Sequence, residues 1–182
     1  MERKNILVLN GSASADSANQ KLIHQLALWT KEYFKLEISP DLKLLPHFSP
    51  ELSISDTPKA VLNFRQAVAA ADGVIICTPE YIFSIPSGLK NALEWCVAAP
   101  VFTEKPLGII TASANGQKGH EELQLIMRTL MATFTPDTTL LIPGIKGKTG
   151  AEGTITDPDT IEALEQFLAE FKLLLIDHRS GQ

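Results

Sequence analysis

Four short runs rich in Ile, Val and Leu punctuate the chain: Asn5–Leu9, Gly73–Cys77, Leu107–Ala112 and Thr139–Ile142. None alternates apolar with polar residues, as a strand with one wet face would, so they read as parallel strands covered by helices on both sides. Between them, apolar residues recur every three or four positions, as Leu22, Leu26, Trp29 and Tyr33 and again as Leu89, Ala92, Leu93, Cys96 and Val97. Each set is one face of an amphipathic helix. Residues 58–71 supply another helix before an Ala71-Asp72-Gly73 turn. Ile161, Leu164, Leu168, Phe171 and Leu175 mark a last one, with Asp157 as N-cap and Pro158 at the first helical position. A weaker strand falls within Leu36–Leu45, where Pro40 assigns it to a sheet edge. The alternation predicts an α/β fold, a three-layer doubly wound sheet of five parallel strands with helices on both faces. In such folds ligands bind beyond the carboxyl ends of the strands, so the loops there carry the chemistry.

Composition narrows the function classes. The 182 residues, 45% hydrophobic and 20% charged, contain no repeat or long linker, and residues 1–182 are expected to form a single domain. A net charge of −5 provides no positive field for phosphate backbones or anionic lipid, which argues against nucleic-acid and membrane partners. No apolar run reaches the ~18 residues of a membrane span, and Ile6–Leu9 is too short for a signal-peptide core, so a cytoplasmic location is expected. Cys77 and Cys96 lack CxxC spacing, and His24, His47, His120 and His178 lack HxxxH or HExxH spacing. Neither a disulfide framework nor a zinc site is indicated.

After the first strand comes Asn10-Gly11-Ser12-Ala13-Ser14-Ala15-Asp16-Ser17-Ala18-Asn19, a serine-rich turn that leads into a helix. Helix N-termini offer unpaired N–H groups and a positive dipole end, and small hydroxyls add donors, so the turn suits an anion. Ordinary helix capping is the alternative reading. The turn contains neither G-x-G-x-x-G nor G-x-x-x-x-G-K-[ST], and Gly147-Lys148-Thr149 reads as a surface loop. After the third strand, Pro79 and Pro86 each lock φ, which predicts an extended, rigid wall between them suited to a planar heterocycle. Arginine six residues after Cys77 would signal phosphatase chemistry, but Phe83 stands there.

These two loops resemble the NADPH-dependent FMN reductase family, flavodoxin-like enzymes that include quinone, azo-dye and chromate reductases. Gly11-Ser12 with Ser17 and Asn19 matches the family's GSxRxxSxN loop, and Thr78–Trp95 matches TPEYNxSxPGxLKNAxDW over its length. The resemblance implies FMN bound noncovalently, its phosphate held by Ser12, Ser14, Ser17 and Asn19 and its ring against Pro79, Glu80, Tyr81 and Ile82. It places Ser113, Asn115 and Gly116 near the pyrimidine edge and names NADPH or NADH as electron donor. The acceptor would be a quinone, azo compound, flavin or metal oxyanion reduced in ping-pong order. The chain would act as a homodimer or dimer of dimers, and no side chain is assigned a catalytic role because the flavin carries the chemistry.

The match has departures. Ser14 stands where the family has arginine, Ile82 where it has asparagine and Ser87 where it has glycine, and the third loop has fewer glycines. Loss of the arginine removes a charge-assisted partner worth ~1.5–3 kcal/mol, a ten- to hundredfold effect on affinity if nothing replaces it. Ile82 would contribute packing or backbone donation in place of a polar side chain. Two other classes stay open at this point, a nonenzymatic electron carrier and a cofactor-free regulatory module of the same fold. Cys96 and the four histidines read as structural, and Trp95, Val97, Val101 and Phe102 suggest a self-association surface, with simple core packing an equally good reading of Trp95.

Overall fold

The computed structural model describes residues 3–14, 16–150 and 153–180. Five strands, β1 (Lys4–Asn10), β2 (Phe34–Ile38), β3 (Gly73–Thr78), β4 (Leu107–Ser113) and β5 (Thr139–Pro143), form one parallel sheet in the order β2-β1-β3-β4-β5. This is the flavodoxin-like order, and the direction of winding reverses between β1 and β3. Six α-helices are described: α1 (Ala18–Thr30), α2 (Pro50–Ile54), α3 (Lys59–Ala70), α4 (Ser87–Glu94), α5 (Gln117–Thr129) and α6 (Pro158–Ser180). The sheet separates two cores. Ile6, Val8, Ile75, Cys77 and Ile110 point toward Leu22, Ile23 and Leu26 of α1 and Leu164, Phe167 and Phe171 of α6. Leu7, Leu9, Val74, Ile76 and Ile109 point toward Phe64 of α3, Leu89 and Leu93 of α4 and Leu123 and Met127 of α5. Every residue of β3 is buried, which is why the run has no alternation. Each fully buried Leu, Ile, Val, Phe or Met side chain of these cores contributes about 1.5–3 kcal/mol by leaving water.

Several expectations shift. The edge strand β2 lies earlier than predicted, at Phe34–Ile38, and Pro40 follows it rather than interrupting it. Only Phe34 of that strand is fully buried, so its hydrophobic signal is faint. The first helix ends at Thr30, and Tyr33 lies beyond it. Asp157 accepts from the Thr160 N–H at 3.1 Å ahead of Pro158, the predicted cap of α6. Trp95 and Phe102 are core residues, Trp95 donating its indole N–H to Pro46 O at 2.8 Å, whereas Val97 is exposed. No described helix is long and apolar enough to cross a membrane. The described residues hold no group of three or more His, Cys, Asp or Glu placed to bind a metal.

Candidate functional site

The carboxyl ends of β1, β3, β4 and β5 open onto one cleft with a cavity volume of about 620 Å³. The loop after β1 supplies Ser12, Ser14, Asp16 and Ser17, with Ala18 and Asn19 from the first turn of α1. Gly11 lets this loop approach β3 closely: a Cβ there would lie 2.2 Å from Thr78 Oγ1, and its N–H donates to Cys77 O at 2.9 Å. Asn10 shapes the turn, accepting from the Ser12 N–H at 3.0 Å and donating to Gln20 Oε1 at 2.7 Å. Ser12 Oγ accepts from the Ser14 N–H at 3.3 Å and meets Tyr81 Oη at 3.4 Å across the cleft. Ser17 caps α1 by accepting from the Gln20 N–H. The N–H groups of Ala18 and Asn19 are among those an α-helix leaves without an intrahelical partner, and both residues border the cleft.

The Asn19 side chain is committed elsewhere. It is buried, donates to Ala112 O at 3.0 Å and accepts from Cys77 Sγ at 3.3 Å, which ties α1 to β3 and β4. Only its backbone is left for a ligand. Both thiols are buried, which pushes Cys77 far above its ordinary range and raises Cys96 to about 12, disfavouring the nucleophilic thiolate at each.

The second loop departs from the extended wall predicted between Pro79 and Pro86. Tyr81 and Ser84 exchange backbone hydrogen bonds of 2.9 and 3.1 Å, closing a tight hairpin whose corner residues, Ile82 and Phe83, have φ of 51° and 59°. Positive φ at both corners is the signature of a type I′ turn, which favours Asn and Gly. Two prolines therefore bracket a reversal rather than a straight segment. Ile82 is 94% exposed and is not among the residues that line the cleft.

This hairpin is clamped to α5 at two points. Glu80 accepts from the Gly119 N–H at 2.8 Å and the Gly116 N–H at 3.4 Å, capping a helix whose own N-cap, Gly116, has no side chain to offer. In return, Glu122 accepts from Ser84 Oγ at 2.6 Å and the Ile85 N–H at 3.2 Å. Gly119 permits the close approach, since a Cβ there would stand 3.3 Å from Glu80 Cβ and Ser84 O. The Glu80 N–H also donates to Ser113 Oγ at 3.2 Å, joining the second and third loops. Below them, Thr111 Oγ1 and His120 Nδ1 share a hydrogen bond of 2.8 Å, and burial lowers the pKa of that imidazole. His120 is thus an interior tie between β4 and α5, in keeping with its structural reading.

Of the residues expected at the site, Ser12, Ser14, Ser17, Asn19, Pro79, Glu80, Tyr81 and Ser113 line the cleft. Ile82, Asn115 and Gly116 do not: Asn115 faces solvent, and Gly116 is buried beneath Glu80. A fourth segment was missed. Gly144, Ile145, Lys146 and Gly147 complete the cleft, in a 3-10 turn at Ile145–Lys148 that includes part of the stretch read as a surface loop. Its signal was its position, directly after the fifth parallel strand.

A sequence profile described as NADPH-dependent FMN reductase matches residues 4–147. The chain is 32% identical over 181 residues to a 2-hydroxy-1,4-benzoquinone reductase of a Burkholderia species, covering 96% of this chain and 97% of that protein. It is also 32% identical over 171 residues to an NADPH:quinone oxidoreductase of Arabidopsis thaliana, covering 90% and 87%. Among solved structures, a flavoenzyme NAD(P)H:(acceptor) oxidoreductase of Paracoccus denitrificans superposes with a TM-score of 0.78 at 24% identity, covering 96% and 98% of the two chains. At that identity the last likeness speaks for the fold.

Proposed function

Since the chain belongs to the NADPH-dependent FMN reductase family, and is therefore an FMN-dependent enzyme that draws electrons from NAD(P)H, we propose that it reduces a small quinone in the cleft at the strand ends. The observation that carries the choice of acceptor is the 32% identity, over nearly the whole of both chains, to a benzoquinone reductase. Membership in a reductase family sets aside the electron carrier and the cofactor-free module.

The donor set fits the cofactor. The cavity volume of about 620 Å³ lies within the ~300–1,000 Å³ usual for small-molecule sites. One end offers the hydroxyls of Ser12, Ser14 and Ser17 with the first-turn N–H groups of Ala18 and Asn19, a donor-rich surface for a phosphate. The other end offers a backbone wall at Pro79–Tyr81 opposite Ser113 and Ala114, suited to a flat ring. A flavin held by these residues would supply hydride-transfer chemistry between NAD(P)H and the quinone in ping-pong order, the proton that completes the hydroquinone coming from solvent. The protein's part is positioning. Pro79 fixes the wall, the Glu80 and Glu122 clamps hold it against α5, and Tyr81 reaches Ser12 across the opening. The Glu80 carboxylate is occupied in capping α5, which leaves it no role as a proton donor.

The expected assembly is a homodimer or a dimer of dimers. Phe83, 73% exposed at the hairpin corner beside the cleft, and Val97 and Leu125, bordering a groove between α4 and α5, provide apolar surface for a second copy. Sedimentation velocity at micromolar concentration is expected to give twice the chain mass or more; a monomer would contradict this assembly. For the reaction, initial rates of NADPH oxidation with 1,4-benzoquinone are expected to give parallel double-reciprocal lines as the quinone is varied. Converging lines would refute the ping-pong order, and no turnover of quinone would refute the acceptor.

A further inference from the structure

A phosphate group carries up to two negative charges, yet the loop proposed to hold it contains no net positive charge. Ser12, Ser14 and Ser17 are neutral, Asp16 is acidic, and Lys21 is paired with Asp16 at 3.0 Å. Ser14 occupies the place of the family's arginine. The countercharge must therefore come from outside the loop or be missing.

Among the described residues lining the cleft, Lys146 is the single cation. It projects from the turn after β5, and that turn is built against the α1 side of the sheet. Ile145 is buried in the core formed with Leu22 and Ile23 of α1, and the Gly144 N–H donates to Ala114 O at 3.1 Å. Farther along, the Ile155 N–H donates to Gln25 Oε1 of α1 at 2.8 Å. The anchoring brings Lys146 to the cleft shared with Ser12 and Ser14.

Other lysines of this region are already engaged. Lys43 is bonded to Asp41 and to Ala13 O, and Lys148 to Thr160 Oγ1 with Asp157 at 3.6 Å. Lys146 has no side-chain hydrogen bond or ion pair among the described residues. Gly144 and Gly147 bracket it, and nothing lies within 4 Å of where a Cβ would stand on either. Lys146 itself is exposed at the cleft, and its flexible four-carbon stem can bring the ammonium to a phosphate bound at the head of α1.

We infer that Lys146 supplies the countercharge for the FMN phosphate, so that the β5–α6 connection does the electrostatic work absent from the β1–α1 loop. The inference rests on the proposed placement of the phosphate. A lysine is a point charge rather than a two-pronged ligand, so the contact confers charge selectivity more than geometry. The chain then distinguishes FMN from riboflavin chiefly through Lys146, and in a salt-sensitive way.

The test is titration of the apoprotein with FMN and with riboflavin, followed by quenching of flavin fluorescence at low and high salt. Lys146→Met, which keeps most of the stem and removes the charge, is expected to weaken FMN about tenfold at low salt. It should leave riboflavin unchanged and flatten the salt dependence of FMN binding. Lys146→Arg should retain FMN affinity, and adding Ser14→Arg to Lys146→Met should restore it. If Lys146→Met binds FMN as tightly as the parent while the parent still prefers FMN to riboflavin, the inference fails and the phosphate placement survives. Equal weakening of both flavins would overturn it as well, by showing a contact that ignores the phosphate. A parent that binds FMN no better than riboflavin would overturn the placement and the inference together.

Discussion

Ile82 sits in a backbone conformation that a β-branched side chain tolerates poorly. With φ of 51° and 94% exposure, it bears the cost of the left-handed region, about 1–2 kcal/mol, without burying anything in return. Asparagine is several-fold commoner there, so the family's asparagine at this place has a conformational reason. Ile82→Asn is expected to stabilise the fold by about 1 kcal/mol, seen as a higher urea midpoint with an unchanged slope. An unchanged or lower midpoint would mean that the isoleucine is packed against something, such as a second copy. The example shows where single residues were legible. Ser12, Ser14 and Ser17 announce an anion-compatible helix start by type and spacing alone. The corner at Ile82 did not announce itself, because nothing in an Ile-Phe pair asks for a turn and the neighbouring prolines point to an extended path.

At the scale of elements, the clamp between the second loop and α5 is the feature on which the cleft depends. Glu80 meets the N–H groups of residues 36 and 39 positions later, and Glu122 reaches back to Ser84 and Ile85. Glu80→Ala is expected to cost about 1–2 kcal/mol of stability through loss of the cap and to weaken FMN binding, because the loop that carries Pro79 and Tyr81 loses its carboxylate anchor to α5. Glu80→Gln, which keeps an acceptor oxygen, should fall between. Urea unfolding alongside flavin titration checks both, and weakened FMN with unchanged stability would instead mark Glu80 as a direct ligand. The central strands were readable because burial on both faces leaves uninterrupted apolar runs, as in Gly73–Thr78. The edge strand β2 was misplaced because only Phe34 of its five residues is fully buried. The turn carrying Lys146 was passed over because its glycines and lysines resemble any surface loop. Only the strand order, which sets β5 beside β4, brings it to the site.

For the molecule as a whole, the sheet is a scaffold whose strand ends converge on one cleft, and its two cores hold the loops from opposite faces. The first and fourth loops rest on α1 and α6, the second and third on α4 and α5, so the two ends of the cleft belong to different layers. That division suits a cofactor with a charged tail and a flat head. Family membership assigns FMN and NAD(P)H, and the account turns on whether this cleft lets the two react. The most direct measurement is the visible flavin spectrum of FMN-loaded protein during anaerobic addition of NADPH, with free FMN at equal concentration as control. Rapid bleaching of the bound flavin, absent from the control, is the predicted result. A bound flavin that stays oxidised with both NADPH and NADH would contradict the account.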